Sequence, residues 1–235
     1  MFKTKTGSTL LASSLLLSGL AVADTQDFQG FYAQLGAGYE SIKPVHAEST
    51  LTINGADIPV STTSKSADGA ISVISAGWFQ ALNNRYLLGV GIDFAPFHGP
   101  SGTMAVSTQG ALPNQNNLVN DYGYKKKSSY NIYVAPAIVV GDAGLAYAKL
   151  GYASTKVTKY DSVDYNFGDL SVGLGYRQNF DGGWYGFAEI NYADHGNQTE
   201  TETSLNPAAQ GRTLTATATN ALETFNLVAG IGVKF

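Results

Sequence analysis

Three histidines are the residues of this 235-residue chain best suited to acid–base chemistry: His46, His98 and His195. A histidine beside a carboxylate and a hydroxyl can activate a nucleophile, and His195 directly follows Asp194. No His-x-Ser pair and no nucleophile-elbow pattern accompanies any of the three. All three lie in polar connecting stretches or where apolar stretches end. We therefore interpret them as solvated histidines, and an enzyme with His195 at its site is the least favoured alternative.

Glycine pairs of the form Gly-x-Gly are the next candidates, because glycines let a backbone approach phosphate groups closely. They occur at Gly36/Gly38, Gly89/Gly91, Gly173/Gly175 and Gly230/Gly232. None opens a helical pattern or completes a dinucleotide fingerprint, so close packing inside the fold is the preferred interpretation. The chain has no cysteine, which excludes a thiol nucleophile, a disulfide and a cysteine-bound metal. We expect no metal and no cofactor.

The elements that must position these residues are eight stretches that alternate apolar and polar side chains, a pattern typical of β-strands. They cover about 31–41, 70–79, 86–95, 129–140, 145–154, 167–178, 183–193 and 225–235. Charged residues make up only 14% of the chain, and no later segment approaches a transmembrane helix. These features predict an all-β fold, an eight-stranded antiparallel up-and-down transmembrane β-barrel. Pro136 predicts a bulge in the fourth strand or an earlier end to it.

The connections between these stretches fall into two length classes. Short ones rich in Asn, Asp and Gly cover 80–85, 141–144 and 179–182. Long polar ones cover about 42–69, 96–128 and 194–222, and a shorter one covers about 155–166. This asymmetry is that of outer-membrane barrels, which have short turns in the periplasm and long loops at the cell surface. We expect the long stretches to be loops.

The two ends of the chain support export to a membrane. Lys3 and Lys5, a Leu-rich run at 10–21 and the small-x-small sequence 21–23 have the plan of a secretory signal peptide. The run is shorter than the ~20 residues of a membrane-spanning helix, which disfavours the alternative of an N-terminal anchor. We expect residues 1–23 to be a cleaved signal peptide and residues 24–235 to form the barrel domain. The apolar last strand must then pair with 31–41 to close the sheet.

Aromatic residues gather near the ends of the predicted strands. Phe31, Trp78, Tyr86, Trp184 and Phe235 lie toward the short turns, and Tyr39, Phe94, Tyr130, Tyr152 and Tyr192 lie toward the long loops. Two such rows predict the interfacial aromatic girdles of a membrane barrel. The alternative is that they are core aromatics of a soluble β-sandwich.

The chain resembles the small outer-membrane β-barrel family that includes the OmpA transmembrane domain, OmpX and the opacity proteins. The resemblance rests on the segments 30–39, 145–152 and 172–176 and on the last strand, where Gly230, Val233 and Phe235 resemble the family's C-terminal insertion signal. It implies a Gram-negative outer membrane, with its lipid and lipopolysaccharide, and contact with the barrel-assembly machinery during biogenesis. It specifies architecture better than activity.

Five ionisable residues occupy predicted inward positions: Glu40, Asp93, Lys149, Arg177 and Glu189. Buried charges need partners, so we predict a lumenal polar network built around Lys149, Arg177 and Glu189. The network could act as a gate for small solutes or as a plug that satisfies the interior. The interior of an eight-stranded barrel is just filled by side chains, which favours the plug.

The only basic cluster is Lys125-Lys126-Lys127, at the outer end of the fourth strand. Lysines pair readily with phosphate, so the cluster is a candidate lipopolysaccharide contact, with a solvated loop end as the alternative. A net charge of −4 gives no support to nucleic-acid binding. The favoured function is non-enzymatic: a barrel that anchors surface loops for envelope integrity, adhesion or interaction with an unknown surface ligand. A narrow pore is the first alternative and a lipid-modifying enzyme the second.

Overall fold

The computed structural model describes residues 24–53, 56–107, 119–159, 163–196, 198–206 and 212–235. The expected signal peptide, 1–23, lies outside these ranges. Eleven strands account for most of the described chain. They are β1 Gly30–Ile53, β2 Ala56–Ser64, β3 Ala67–Ala81, β4 Tyr86–Ala95, β5 Ser101–Ser107, β6 Val119–Val140, β7 Gly144–Lys159, β8 Val163–Asn179, β9 Trp184–Asp194, β10 Gln198–Asn206 and β11 Arg212–Lys234. Among the described residues, no helix is long and apolar enough to cross a membrane.

Eight of the strands form a closed antiparallel barrel in the order β1-β3-β4-β6-β7-β8-β9-β11, and β11 returns to β1. The closing register runs from Tyr32 opposite Lys234 to Ile53 opposite Leu214. This pairing of the last strand with the first was predicted and is confirmed. Closure removes the free sheet edges that would otherwise pair with other chains.

The alternation seen in the sequence sorts side chains between the lumen and the outer surface. Inward positions are buried, as at Phe79, Tyr147 and Tyr185. Outward positions carry large apolar side chains that are exposed, including Leu35, Val90, Ile132, Leu150, Leu174 and Ile231. A continuous apolar outer face of this kind is a surface that hydrocarbon covers, not water.

The three remaining strands lie within stretches predicted to be long loops. Beyond the barrel proper, β2 pairs with the end of β1 and with β5, β5 pairs with the start of β6, and β10 pairs with the start of β11. The strands are therefore longer than predicted at what we call the long-loop end. Threonine recurs at every second position over 199–203 and 213–219. Its branched side chain favours strands, but without an apolar face the alternation does not reveal them.

Strand β6 continues through Pro136, contrary to the expected bulge or early end. Pro136 pairs with Leu88 of β4, and the pairing of β6 with β7 is interrupted between Val134–Leu150 and Ala137–Tyr147 without a change of register. Because proline has no N–H, it removes a bond on the β7 side while the β4 side holds the strand in line. A register shift does occur in β6, between Lys126 and Ser128.

The short connections lie together at the other end, which we call the short-turn end. They join β3 to β4, β6 to β7 and β8 to β9, as predicted. Gly141 has φ of 65° in the second of these turns, a conformation that favours glycine. The N-terminal segment 24–29 also lies across this end: Phe28 is buried in the barrel core, and Oε1 of Gln29 accepts from the backbone N–H of Ala81 at 3.1 Å.

Candidate functional site

The lumen of the barrel holds the predicted ionisable residues in layers, and the layer nearest the short turns is built on Arg177. Its guanidinium carbon lies 3.8 Å from the ring centre of Tyr32, 4.8 Å from that of Tyr185 and 4.9 Å from that of Phe79. Its Nε and Nη2 atoms have no hydrogen-bond partner among the described residues. Cation–π contacts therefore hold this charge, and it makes no ion pair with the predicted network in the described part of the chain.

The second layer is an ion-pair network centred on Lys149 of β7. Its Nζ lies 2.7 Å from Oε2 of Glu189 and 2.9 Å from Oδ2 of Asp93. Glu189 also accepts hydrogen bonds from the hydroxyl of Tyr147 at 2.6 Å and from the amide of Gln34 at 3.3 Å. Lys149 is 1% exposed and Glu189 4%, so these contacts replace water almost completely. Of the three residues around which the network was predicted, Lys149 and Glu189 meet directly. Arg177 makes no ion pair with them among the described residues, but it is linked to Glu189 through Tyr147, whose hydroxyl interacts with both.

A cavity of about 60 Å³ lies above this network. Its lining includes Glu40, Asp93, Lys126, Glu189, Asn191 and Asn226. Oxygen atoms of Glu40, Asp93 and Asn191 have no hydrogen-bond partner among the described residues. The cavity has polar groups on a partly apolar wall and is large enough for a few water molecules, which would satisfy these acceptors.

The third layer is a second buried ion pair, between Lys126 of β6 and Glu40 of β1. Lys126 is 1% exposed and points into the lumen. Its prediction as a lipopolysaccharide contact is therefore wrong. In a strand, successive side chains point to opposite faces, so three adjacent lysines cannot share one outer surface. Glu40 belongs to this pair and not to the network of Lys149.

His195 adjoins this third layer and is buried, so its interpretation as a solvated residue is wrong. It directly follows β9, and its Nε2 lies 3.2 Å from Oγ1 of Thr155 and 3.1 Å from Oγ1 of Thr224. Burial, and then the charge of Lys126, lower the pKa of His195 to about 4. The ring is neutral at physiological pH. The alternation of β9 carries the signal that was missed: continued from the inward Glu189 to one residue beyond the strand end, it places His195 inward.

An apolar cluster lies beyond His195 toward the long-loop end. It consists of Ile42, Ala67, Tyr124, Val157, Phe167 and Leu222. A larger cluster, which includes Phe28, Tyr32, Phe79, Leu87, Leu145 and Tyr185, fills the short-turn half. The ion pairs and the cavity thus lie between two apolar layers along the barrel.

The recurring glycines make room for the lumenal rings. A β-carbon on Gly175 would lie 2.3 Å from the ring of Tyr147, and one on Gly232 would lie 2.3 Å from the ring of Tyr185. Such contacts are too short for any real side chain, so packing explains these pairs. At Gly230 a β-carbon would meet the backbone oxygen of Leu35, which shows how closely β11 approaches β1.

The remaining predicted site residues lie on the outer surface or at its rim. Nine aromatic residues of the two predicted rows are exposed there: Phe31, Tyr39, Tyr86, Phe94, Tyr130, Tyr152, Trp184, Tyr192 and Phe235. Trp78 packs edge-on against Phe31 at 4.4 Å between ring centres. Lys125 is exposed and Lys127 is partly so, as is Val233 of the last strand. His98 is exposed, and the side chain of His46 lies outside the described residues.

Comparison with known proteins identifies the architecture. No protein-family model and no curated protein sequence matches the chain. The outer membrane protein OprG from Pseudomonas aeruginosa is similar in structure: the TM-score is 0.53 at 14% identity, over 88% of this chain and 96% of OprG. The fold is that of the small outer-membrane β-barrels. For Neisserial surface protein A the TM-score is 0.47 at 16% identity, over 88% of this chain and 97% of that protein. For the outer membrane protease OmpT from Escherichia coli the TM-score is 0.44 at 10% identity, over 88% of this chain and 97% of OmpT. Identities this low establish the fold and not the activity.

Proposed function

We propose that this protein is a non-enzymatic, non-conducting barrel of a Gram-negative outer membrane. Its role is to hold the strands and loops of the long-loop end at the cell surface for envelope integrity, adhesion or binding of a surface ligand. The membrane assignment is supported by the exposed apolar outer face between two rows of aromatic side chains. The sequence of residues 1–23 supplies the export signal that this location requires.

The observation that carries the non-conducting assignment is the filling of the lumen. The rings around Arg177 occupy the short-turn half, the pairs of Lys149 and Lys126 join non-adjacent strands across the lumen, and an apolar cluster lies beyond them. A solute would have to separate buried ion pairs and displace aromatic rings. Separating a buried pair costs several kcal/mol, about 3–5 for each, so the pore alternative is disfavoured.

The enzyme alternative is disfavoured by the surroundings of His195. The hydroxyls nearest to its ring belong to Thr155 and Thr224, which are 1% and 6% exposed. A general base needs a substrate within hydrogen-bond reach, and these groups face only the lumenal cavity of about 60 Å³, which has room for a few water molecules and not for a lipid or peptide substrate. We assign His195 a structural role, as a neutral polar residue that joins β7, β9 and β11.

The surface role is supported by the extension of the sheet beyond the barrel. Strands β2, β5 and β10 brace the ends of β1, β6 and β11, so the segments that carry the connecting loops stand on a paired sheet. Binding residues are often placed on loops that a rigid scaffold positions. For biogenesis, we propose that Gly230, Val233 and Phe235 of the closing strand are read by the barrel-assembly machinery.

A labelling experiment tests the location and orientation, and the absence of cysteine makes it simple. His98 at the long-loop end and Asn84 in a short turn are both exposed. In intact cells, a membrane-impermeant maleimide should label His98→Cys and leave Asn84→Cys unlabelled until the outer membrane is permeabilised. Labelling of Asn84→Cys alone would reverse the orientation. Equal labelling of both in intact cells would contradict the membrane assignment.

A further inference from the structure

Two lysines and one carboxylate form an ordered cluster on the outer surface at the long-loop end. The Nζ of Lys127 lies 3.0 Å from Oδ1 of Asp164, and the Nζ of Lys156 lies 3.0 Å from Oδ2. Thr158 donates a further hydrogen bond to Oδ1 of Asp164 at 2.7 Å. The two lysine side chains remain 42% and 41% exposed. The carboxylate therefore holds two accessible ammonium groups side by side across β6, β7 and β8.

Lys125 adds a third exposed lysine to this face, since its partner in β7 is Thr158, which donates to Asp164. We call Lys125, Lys127 and Lys156 the rim lysines. Hydrogen bonds from Thr158, and then from the two lysines, hold the pKa of Asp164 well below its usual range. Asp164 therefore stays ionised at physiological pH, and the three rim lysines exceed this single carboxylate by two charges.

The rim lysines lie just outside the apolar band. In β6, Lys127 is three residues beyond Tyr130, and in β7, Lys156 is four residues beyond Tyr152. Both tyrosines belong to the aromatic row at the long-loop end and point outward. Interfacial aromatic rows mark the level of lipid headgroups, so extended lysine side chains here reach the headgroup layer.

The opposite side of the rim differs in charge. There Lys43 of β1 pairs with Glu223 of β11 at 3.4 Å, and Lys65, Asp68 and Asp194 are also exposed, so carboxylates outnumber lysines. Four strand positions separate β1 from β7 around the barrel. Within the described side chains, the excess of positive charge is thus confined to one sector of a chain whose net charge is −4. A uniform solvated rim would not be expected to show such a contrast.

We infer that the rim lysines form a binding site for the phosphate groups of lipid A in the outer leaflet. Lysine ammonium groups pair with phosphate as point charges, and Asp164 orders two of them before the ligand arrives. This site differs from the predicted contact of three consecutive lysines, because it excludes the buried Lys126 and includes Lys156 of the neighbouring strand. This inference rests on the proposed outer-membrane location.

The test uses the purified full-length barrel in detergent micelles, with native mass spectrometry to count bound lipid. Bisphosphorylated lipid A and its dephosphorylated form are titrated separately. The double variant Lys127→Gln/Lys156→Gln should bind the bisphosphorylated form about tenfold more weakly, because two exposed charge pairs are lost. Lys43→Gln, an exposed lysine at a comparable level of the opposite wall, is the matched control and should bind as the natural chain does.

Several outcomes would overturn the inference. Equal binding of the dephosphorylated lipid would show that phosphate is not recognised, and equal loss in Lys43→Gln would show a diffuse charge effect. Displacement of the lipid by millimolar inorganic phosphate would assign the site to free phosphate. Heat-modifiable gel migration and insertion into vesicles are measured in parallel for every variant. A natural chain that does not insert contradicts the proposed function. A chain that inserts but binds both forms of lipid A equally contradicts only this inference.

Discussion

Lys149 of β7 and Glu189 of β9 meet inside the barrel, with Nζ 2.7 Å from Oε2, although β8 separates their strands in the wall. The same ammonium group reaches Asp93 of β4 at 2.9 Å. One lysine thus links three separate parts of the wall through the lumen. Two carboxylates share its charge, so its removal leaves both without a cationic partner while they remain largely buried.

Replacing Lys149 should therefore destabilise the barrel strongly. We expect Lys149→Met to lower the free energy of unfolding by about 3–5 kcal/mol, because it leaves buried carboxylates uncompensated. Urea unfolding in lipid vesicles measures this difference. Lys43→Met, which removes a lysine that is 61% exposed, is the control and should cost under about 1 kcal/mol. Equal effects of the two substitutions would contradict the role of the network.

His195 should make the stability depend on pH. Its pKa is about 4 in the folded barrel, against about 6.5 in an unfolded chain, so the unfolded state binds more protons between these values. The contribution of the neutral His195 to the free energy of unfolding is full above pH 6.5 and falls as the pH is lowered toward 4. At pH 5.5 the loss is about 1.4 kcal/mol. We expect unfolding measurements at pH 7.5 and 5.5 to show this loss in the natural chain and not in His195→Gln. The exposed His98→Gln should retain it, and an unchanged pH dependence in His195→Gln would contradict the buried neutral ring.

The glycines opposite lumenal rings should tolerate no side chain. We expect Gly175→Val to destabilise the barrel by more than about 2 kcal/mol, because its β-carbon would displace the ring of Tyr147 and its bond to Glu189. Gly123→Val is the matched control within another strand, since no atom lies within 4 Å of a β-carbon there. The measurement is the free energy of unfolding of each variant, compared with that of the natural chain. Similar values would show that lumenal packing does not explain the glycine pairs.

The barrel itself could be predicted from the sequence because side-chain character alternates at every second residue along each spanning strand. Outward residues such as Leu88, Val90 and Ile92 must be apolar, and inward ones such as Gly89 and Gly91 must be small, so each spanning strand has a visible pattern. The strands outside the apolar band, such as β10, have no such constraint. Their alternation of Thr with polar residues is indistinguishable from a loop.

The site was predictable only in part. Inward placement of Lys149 and Glu189 follows from alternation, and their similar distance from the short turns brings them together. Alternation also shows that Lys126 and its neighbours face opposite ways, but not which one faces inward, because a register shift follows directly. The stacking of Arg177 on aromatic rings depends on side chains from several strands, which no local pattern specifies.

Conductance in a planar lipid bilayer tests the central claim of a filled lumen most directly. The purified, inserted barrel should show no steady channel current, because the aromatic layer around Arg177 and the buried pairs of Lys149 and Lys126 block the lumen at successive levels. The double variant Arg177→Ala/Tyr185→Ala removes two side chains from the layer nearest the short turns. It is the control for insertion, provided that its heat-modifiable gel migration is preserved. A steady, large conductance of the natural chain would contradict the claim and assign the protein to the pores.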